Sequence, residues 1–258
     1  MYIAFDSAKQ LIDEAKSHMP VISDMIGAFL HIDNGVHTIH TDPVTAEGVM
    51  KVIFKTEMDK RLPLRTFDVA GYLRSALDQA CYASALIIKG GNPTKTKFLF
   101  ADTESGLRDD VRRGKCKDMH PRIIDLICAL EPYKGGNTRL WGLNKLRNSY
   151  VHRILEPTTA KGIGIHMNSG TLRGSFTPCQ EWNPSERELI WGRLSRDSYI
   201  NAMAAPMLRV SFANDFEFPD QSATASLKKL VEETEQIVMS IEAETDSIVN
   251  SRRGPAFT

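Results

Sequence analysis

Residues 66–90, TFDVAGYLRSALDQACYASALIIKG, decide the fold. Phe67, Ala70, Leu73, Leu77, Ala80, Cys81, Ser84 and Ile88 recur at helical spacing and form a stripe too wide for a surface helix. Pro63 opens this element, Thr66 is a suitable N-cap, and Gly90-Gly91 supply the stop. A helix this apolar belongs at the centre of a fold, with other elements packed around it. Arg74 and Asp78 interrupt the apolar surface four residues apart, on one face, where they can pair.

Upstream, Phe5, Ala8, Leu11, Ile12 and Ala15 repeat at three- and four-residue steps, and Pro20 marks the start of a second helix over Val21 to Leu30. From Gly35 to Met58 the apolar residues become β-branched or aromatic around Asp42-Pro43 and Glu47-Gly48, which predicts a β-hairpin. Downstream, residues 91–119 read as a long, polar and mobile connection with a short apolar piece at Lys97 to Phe100. Pro121 begins a helix that ends at Glu131-Pro132. Asn137 or Thr138 caps the next one, which carries Leu140, Leu143, Leu146, Tyr150, Val151 and Ile154. After Pro157, Ile163, Ile165 and Met167 alternate, Asn168 to Gly170 turn, and Leu172 to Phe176 return. Glu188 to Leu194 fits either class, whereas Leu208 to Phe212 alternates. Leu227 to Ile241 then forms a long amphipathic helix with an acidic outer face. The reading is one α+β domain over 1–258: a helical bundle core (about 3–33, 64–90, 120–156 and 222–246) with a small, largely antiparallel sheet inserted between helices (about 35–58 and 160–218).

Composition narrows the function classes. Lys plus Arg number 32 and so do Asp plus Glu, so any nucleic-acid binding rests on a local basic patch, not on net charge. No apolar run approaches the ~20 residues of a membrane span. Asp6, Lys9 and Asp13 inside the first apolar repeat make it a helix and not a signal peptide. Cys81, Cys116, Cys128 and Cys179 include no CxxC pair, as expected of reduced thiols in the cytoplasm.

The chemistry-bearing motif is Arg147-Asn148-Ser149-Tyr150-Val151-His152, an R-N-x3-H hexad. Arginine is a permanent cation whose planar fork matches phosphate. Histidine exchanges protons near neutral pH. Together they meet the needs of metal-free RNA cleavage: a base for the ribose 2′-hydroxyl and a fixed cation for charge building on the phosphorus oxygens. Arg113 to His120 also puts a His after an Arg with four to six residues between, but without the asparagine and without a capped amphipathic helix around it. Five residues of helix turn direction by about 140°. Arg147 and His152 therefore meet only if the arginine bends back or a second subunit completes the site.

On these residues the chain resembles the HEPN superfamily of metal-independent ribonucleases, whose R-x4-6-H motif sits on a late helix of a helical core. The resemblance implies an RNA substrate, a homodimer with the site at its interface, and a toxin or phage-defence setting with an antitoxin partner. It gives phosphate binding to Arg147, acid–base work to His152 and an orienting amide to Asn148, with Arg74 and Asp78 as polar support. It implies no cofactor. Separately, Tyr72 to Ala80, Leu130 to Tyr133 and Leu140 to Leu146 followed by His152-Arg153 resemble a group of bacterial and phage-borne proteins, a likeness that implies a fold and no activity.

Each assignment has a plainer alternative. Arg147 and His152 also suit a non-catalytic binding or assembly protein on the same scaffold. Arg74 and Asp78 suit an ion pair that fixes helix register. Arg108, Arg112 and Arg113, with Arg153, are candidates for guiding an RNA backbone, or else belong to a solvated basic surface. His31, His37 and His40 lack a completing carboxylate or thiol, and strand alternation sends His37 and His40 to opposite faces, so no metal site is expected. Gly162-Ile163-Gly164 lacks the third glycine of a dinucleotide loop and reads as a strand bend. Trp141 sits among apolar helix residues and reads as core, while Trp182 and Trp191 are open to base stacking.

Overall fold

The computed structural model describes residues 3–152, 158–167, 171–201, 204–212, 218 and 221–253. Its centre is helix α2, Arg61–Lys89, preceded by α1 (Asp6–Phe29) and the strands β1 (Gly35–Thr41) and β2 (Gly48–Phe54). Leu73, Leu77, Ala80 and Cys81 of α2 are fully buried. The helix starts five residues earlier than Thr66, at Arg61, whose N–H bonds the Asp59 carboxylate at 2.8 Å, and Thr66 is core rather than cap. It stops at Gly90, where φ is 74° and the N–H returns to the Leu86 carbonyl, a conformation that suits glycine.

Helix α1 is continuous through Pro20, against the expectation of two helices. The ring faces solvent, while Ala8, Ile12, Ala15, Ile22, Ile26 and Phe29 make one uninterrupted buried stripe. An interior proline costs about 3 kcal/mol; the packing of that stripe on α2 outweighs it. Four further helices follow: α3 (Glu104–Arg112), α4 (Pro121–Ala129), α5 (Thr138–His152) and α6 (Ala223–Arg253). Lys9 reaches Glu242 at 2.7 Å and Lys16 reaches Glu235 at 2.6 Å, steps of seven in opposite directions that make α1 and α6 antiparallel. On α2, Ser84 accepts a buried hydrogen bond from Thr245 at 2.7 Å, which ties α2 to α6.

Residues 91–119 are not a mobile polar connection. Phe98, Leu99, Leu107, Cys116 and Met119 are buried, and Thr103 caps α3 by accepting the Gly106 N–H. The apolar residues here are too irregularly spaced to announce a period, and α3 buries little besides Leu107.

The remaining strands are β3 (Thr158–Met167), β4 (Thr171–Arg173), β5 (Phe176–Asn183), β6 (Glu188–Leu194), β7 (Tyr199–Asn201) and β8 (Ala204–Phe212). Strands β1 and β2 form the expected hairpin, which joins β6 and β5 in an antiparallel sheet of order β1-β2-β6-β5. The ambiguous segment 188–194 is thus a central strand. Strand β3 pairs with β8 and β4 with β7, so the ladders nest around β5–β6, and the local hairpin expected between 163–167 and 172–176 does not form. The turn assigned to Asn168 to Gly170 lies outside the described residues. Distant pairing prevails because it brings Ala160 opposite Val210, both buried. The ladder slips between Gly162 and Gly164, the bend expected there. Phe29 stacks on Phe54 at 4.4 Å, and Trp182 meets both rings edge-on, which locks α1 to the sheet. The fold is therefore α+β, and no helix among the described residues is long and apolar enough to cross a membrane.

The continuity of α1 makes a sharp prediction. Pro20→Ala restores a backbone donor on a helix that already spans the position. It raises unfolding free energy by about 1–2 kcal/mol after the added entropy of the unfolded chain is deducted. Urea denaturation reads this as a higher midpoint at constant slope; a lower midpoint would mean that the chain needs a break at Pro20.

Candidate functional site

Helix α5 presents the hexad. Its first turn is held by Asn137, whose Oδ1 accepts the Leu140 N–H at 3.1 Å while its amide donates to Glu233 of α6 at 2.6 Å. Arg139 donates to the other oxygen of Glu233 at 2.9 Å. The turn before it folds tightly: a Cβ on Gly136 would lie 2.6 Å from the Glu131 carbonyl oxygen, so only glycine fits. Leu140, Leu143 and Leu146 are fully buried at three-residue steps, which fixes the helix's rotation. Trp141 is core as expected, its indole N–H donating to Asp102 at 3.3 Å and Lys145 lying 4.8 Å over its ring.

That rotation leaves Asn144 half-buried and turns Arg147 and Asn148 to solvent. Arg147 Nη1 donates to the Asn148 side-chain oxygen at 3.3 Å, and the guanidinium has no carboxylate partner among the described residues. His152 is the last residue of α5. Its side chain, and the whole of Arg153, lie outside the described residues.

Arg74 and Asp78 form the ion pair that their spacing allows, at 2.6 Å. They also grip the neighbouring segment. Asp78 Oδ1 accepts the Phe98 N–H at 2.8 Å, Arg74 donates to the Phe98 carbonyl at 3.3 Å, and its guanidinium lies 4.5 Å over the Phe100 ring. Two side chains of α2 thus close a backbone contact as a strand would. A second carboxylate does the same upstream. Asp118 accepts the N–H groups of Thr94 and Lys95, both at 3.1 Å, and takes Lys89 Nζ at 2.6 Å. The lysine and the two amide donors together hold its carboxyl well below the usual range.

Between these two anchors burial alternates: Thr96 and Phe98 point inward, Lys95 and Lys97 outward. The lysines line a cleft of about 380 Å³ that also includes Arg74, Phe100, Lys115 and Asn144. The site thereby gains Lys95, Lys97 and Asn144, none of which stood out in the sequence. The only available signal was the two-residue alternation Lys95-Thr96-Lys97-Phe98.

The basic stretch 108–117 is largely paired, and of its cations only Lys115 lines this cleft. Arg108 pairs with Glu104 at 2.6 Å, Arg112 with Asp109, and Lys115 with Asp110 at 2.8 Å. Arg108 and Arg112 line a separate groove shared with Glu104, Asp125 and Glu131, so its charge is mixed. Arg113 is exposed. His31, His37 and His40 are all on the surface, and no group of three metal-ligating side chains occurs among the described residues. Trp191 is buried, and Trp182 is half-buried against Phe29 and Phe54, so neither offers a free stacking face. All four cysteines are unpaired, and burial pushes their thiols up, away from nucleophilic use.

Because the folded Asp118 titrates below its ordinary 3.8, its contribution is complete above that value and is lost as the pH falls from there through the folded value. Thermal midpoints from about pH 7 down to about pH 2.5 should show the wild-type advantage over Asp118→Asn constant at first and shrinking in acid. An advantage that stays constant to the lowest pH would separate Asp118 from the anchoring of Thr94 and Lys95.

The chain matches no family model, no curated protein and no solved structure.

Proposed function

We propose that the chain is a metal-independent endoribonuclease of the HEPN-like type. The observation that carries this reading is Arg147: a solvent-facing guanidinium with no carboxylate partner among the described residues, on a helix fixed by three fully buried leucines and one turn from a cationic cleft. A cation left unpaired on a rigid platform is suited to an anionic ligand, because it is neither neutralised in advance nor free to wander.

In the reaction, the His152 imidazole removes the proton from a ribose 2′-hydroxyl. The 2′-oxygen forms a bond to the adjacent phosphorus, the bond from phosphorus to the 5′-oxygen breaks, and that oxygen leaves as a hydroxyl after taking up a proton. The products are a 2′,3′-cyclic phosphate and a 5′-hydroxyl end. Arg147 stabilises the charge that accumulates on the non-bridging oxygens, and Asn148, which already accepts from Arg147, limits where the guanidinium points. His152 lies five residues further along, so its Cα is about 7.5 Å higher and turned by about 140°. A second copy of the chain about a two-fold axis places the histidine of one helix opposite the arginine of the other.

The test is incubation of the pure protein with mixed single-stranded RNAs in EDTA, with end-group analysis of the fragments. The expected result is cyclic-phosphate ends, with the rate lowered about 10²–10⁴-fold by His152→Ala and about 10²–10³-fold by Arg147→Ala, while circular dichroism stays unchanged. RNA left intact by the unaltered chain would overturn the enzyme reading and leave a non-catalytic binding protein.

A further inference from the structure

The cleft beside α5 has a use that the hexad does not need for chemistry. Its four cations do not carry equal free charge. Arg74 is held by Asp78 at 2.6 Å and stacked on Phe100, and Lys115 is held by Asp110 at 2.8 Å. Lys95 and Lys97 are exposed and have no carboxylate partner among the described residues. The cleft therefore keeps an excess of two positive charges in a chain whose overall charge is zero. The acidic groups that could have cancelled them are engaged elsewhere: Asp118 on Lys89 and the amides of Thr94 and Lys95, Asp78 on Arg74 and the amide of Phe98.

Position adds to charge. Asn144 lines the cleft, and Arg147 and Asn148 lie three and four residues further along the same helix, hence on the same face and about 4.5–6 Å away along the axis. Lys95, Lys97 and Asn144 thus share the cleft, and Arg147 lies one helical turn beyond Asn144. A volume of about 380 Å³ has room for one nucleotide of a single strand.

We infer that this cleft binds the phosphates of single-stranded RNA, with Lys95 and Lys97 gripping the backbone and Asn144 handing it on to Arg147. The identity of the polymer rests on the ribonuclease reading; the charge and the geometry do not. Lys95 and Lys97 are positioning residues, since neither touches the reacting atoms.

Binding is measured by fluorescence anisotropy with a labelled oligoribonucleotide of roughly twelve residues, its 2′-hydroxyls methylated so that it cannot be cut. Lys95→Gln with Lys97→Gln weakens binding about tenfold or more at low salt. It also reduces the slope of log affinity against log salt by about 1.4, the loss of two single-strand phosphate contacts. Lys95→Arg with Lys97→Arg restores both. The control pair Lys60→Gln with Lys228→Gln, which removes the same charge from lysines that do not line the cleft, leaves affinity within about twofold.

Unchanged affinity in the cleft variant, an equal loss in the control, or no binding by the unaltered chain overturns the inference. The two readings separate cleanly. Binding that depends on Lys95 and Lys97 with no cleavage of natural RNA keeps the cleft and removes the enzyme. Arg147-dependent cleavage with a cleft variant that binds and cuts normally does the reverse.

Discussion

Burial of α2 on nearly every side is the constraint that the rest of the molecule satisfies. Its buried positions include the adjacent pairs Val69-Ala70, Ala76-Leu77 and Ala80-Cys81 and the run Ala83 to Ala85. Adjacent helix residues point about 100° apart, so no single neighbour could cover them. Covering them takes α1 and α6 together with α5. The alanines among those positions are as informative as the leucines. Ala76, Ala80 and Ala83 let the flanking helices approach closely, which is why a hydroxyl pair as short as Ser84 and Thr245 can bridge α2 and α6 inside the core. The same demand explains Pro20. The stripe from Ala8 to Phe29 has to face the core along its whole length, and a proline whose ring faces solvent does not interrupt it.

A charged notch in a central helix has to be satisfied. Arg74 and Asp78 are the notch, and a lone ion pair would leave oxygens and N–H groups unsatisfied at a half-buried site. The chain supplies a backbone amide and a carbonyl from Phe98, which draws residues 94–100 against α2. Asp118 secures the other end of the same segment. Packing and electrostatics thereby fix which side chains face outward. With Thr96 and Phe98 turned inward, Lys95 and Lys97 stand out with no carboxylate nearby that is not already engaged. The cleft's charge follows from how the core was closed.

What could be read from the sequence follows the range of the interaction. The hairpin of β1 and β2, the apolar run of α2, the Pro121 start of α4 and the Asn137 cap of α5 depend on neighbours within a few residues, and each is legible. Pro20 misleads because propensity argues locally and packing on α2 decides. The ladder of β3 with β8 was hidden because its partners lie 37 to 54 residues apart in the register from Met167↔Ala204 to Thr158↔Phe212. The turn residues Asn168 to Gly170 offer a nearer alternative that the buried Ala160–Val210 contact rejects. For the site, Arg147 could be read as a solvent-facing cation from the spacing of Leu140, Leu143 and Leu146. Lys95 and Lys97 could not, since their direction is set by carboxylates about twenty residues away on either side, at 78 and 118.

Charge that is local has a local reach. In a chain with equal numbers of acids and bases, the field of the cleft fades within about 8–10 Å at physiological salt. Arg147 is one helical turn from Asn144 on the cleft wall, about 4.5 Å along the axis, which lies inside that distance. The paired arginines Arg108 and Arg112 add little to this field, because Glu104 and Asp109 cancel them at contact range. Three of the five cations in the most basic stretch of the sequence are thus cancelled where they stand. What distinguishes a cation available to a phosphate from one that only solvates a helix is the occupation of the nearest carboxylates, and here Arg74, Lys89 and the backbone amides of Thr94, Lys95 and Phe98 set that occupation.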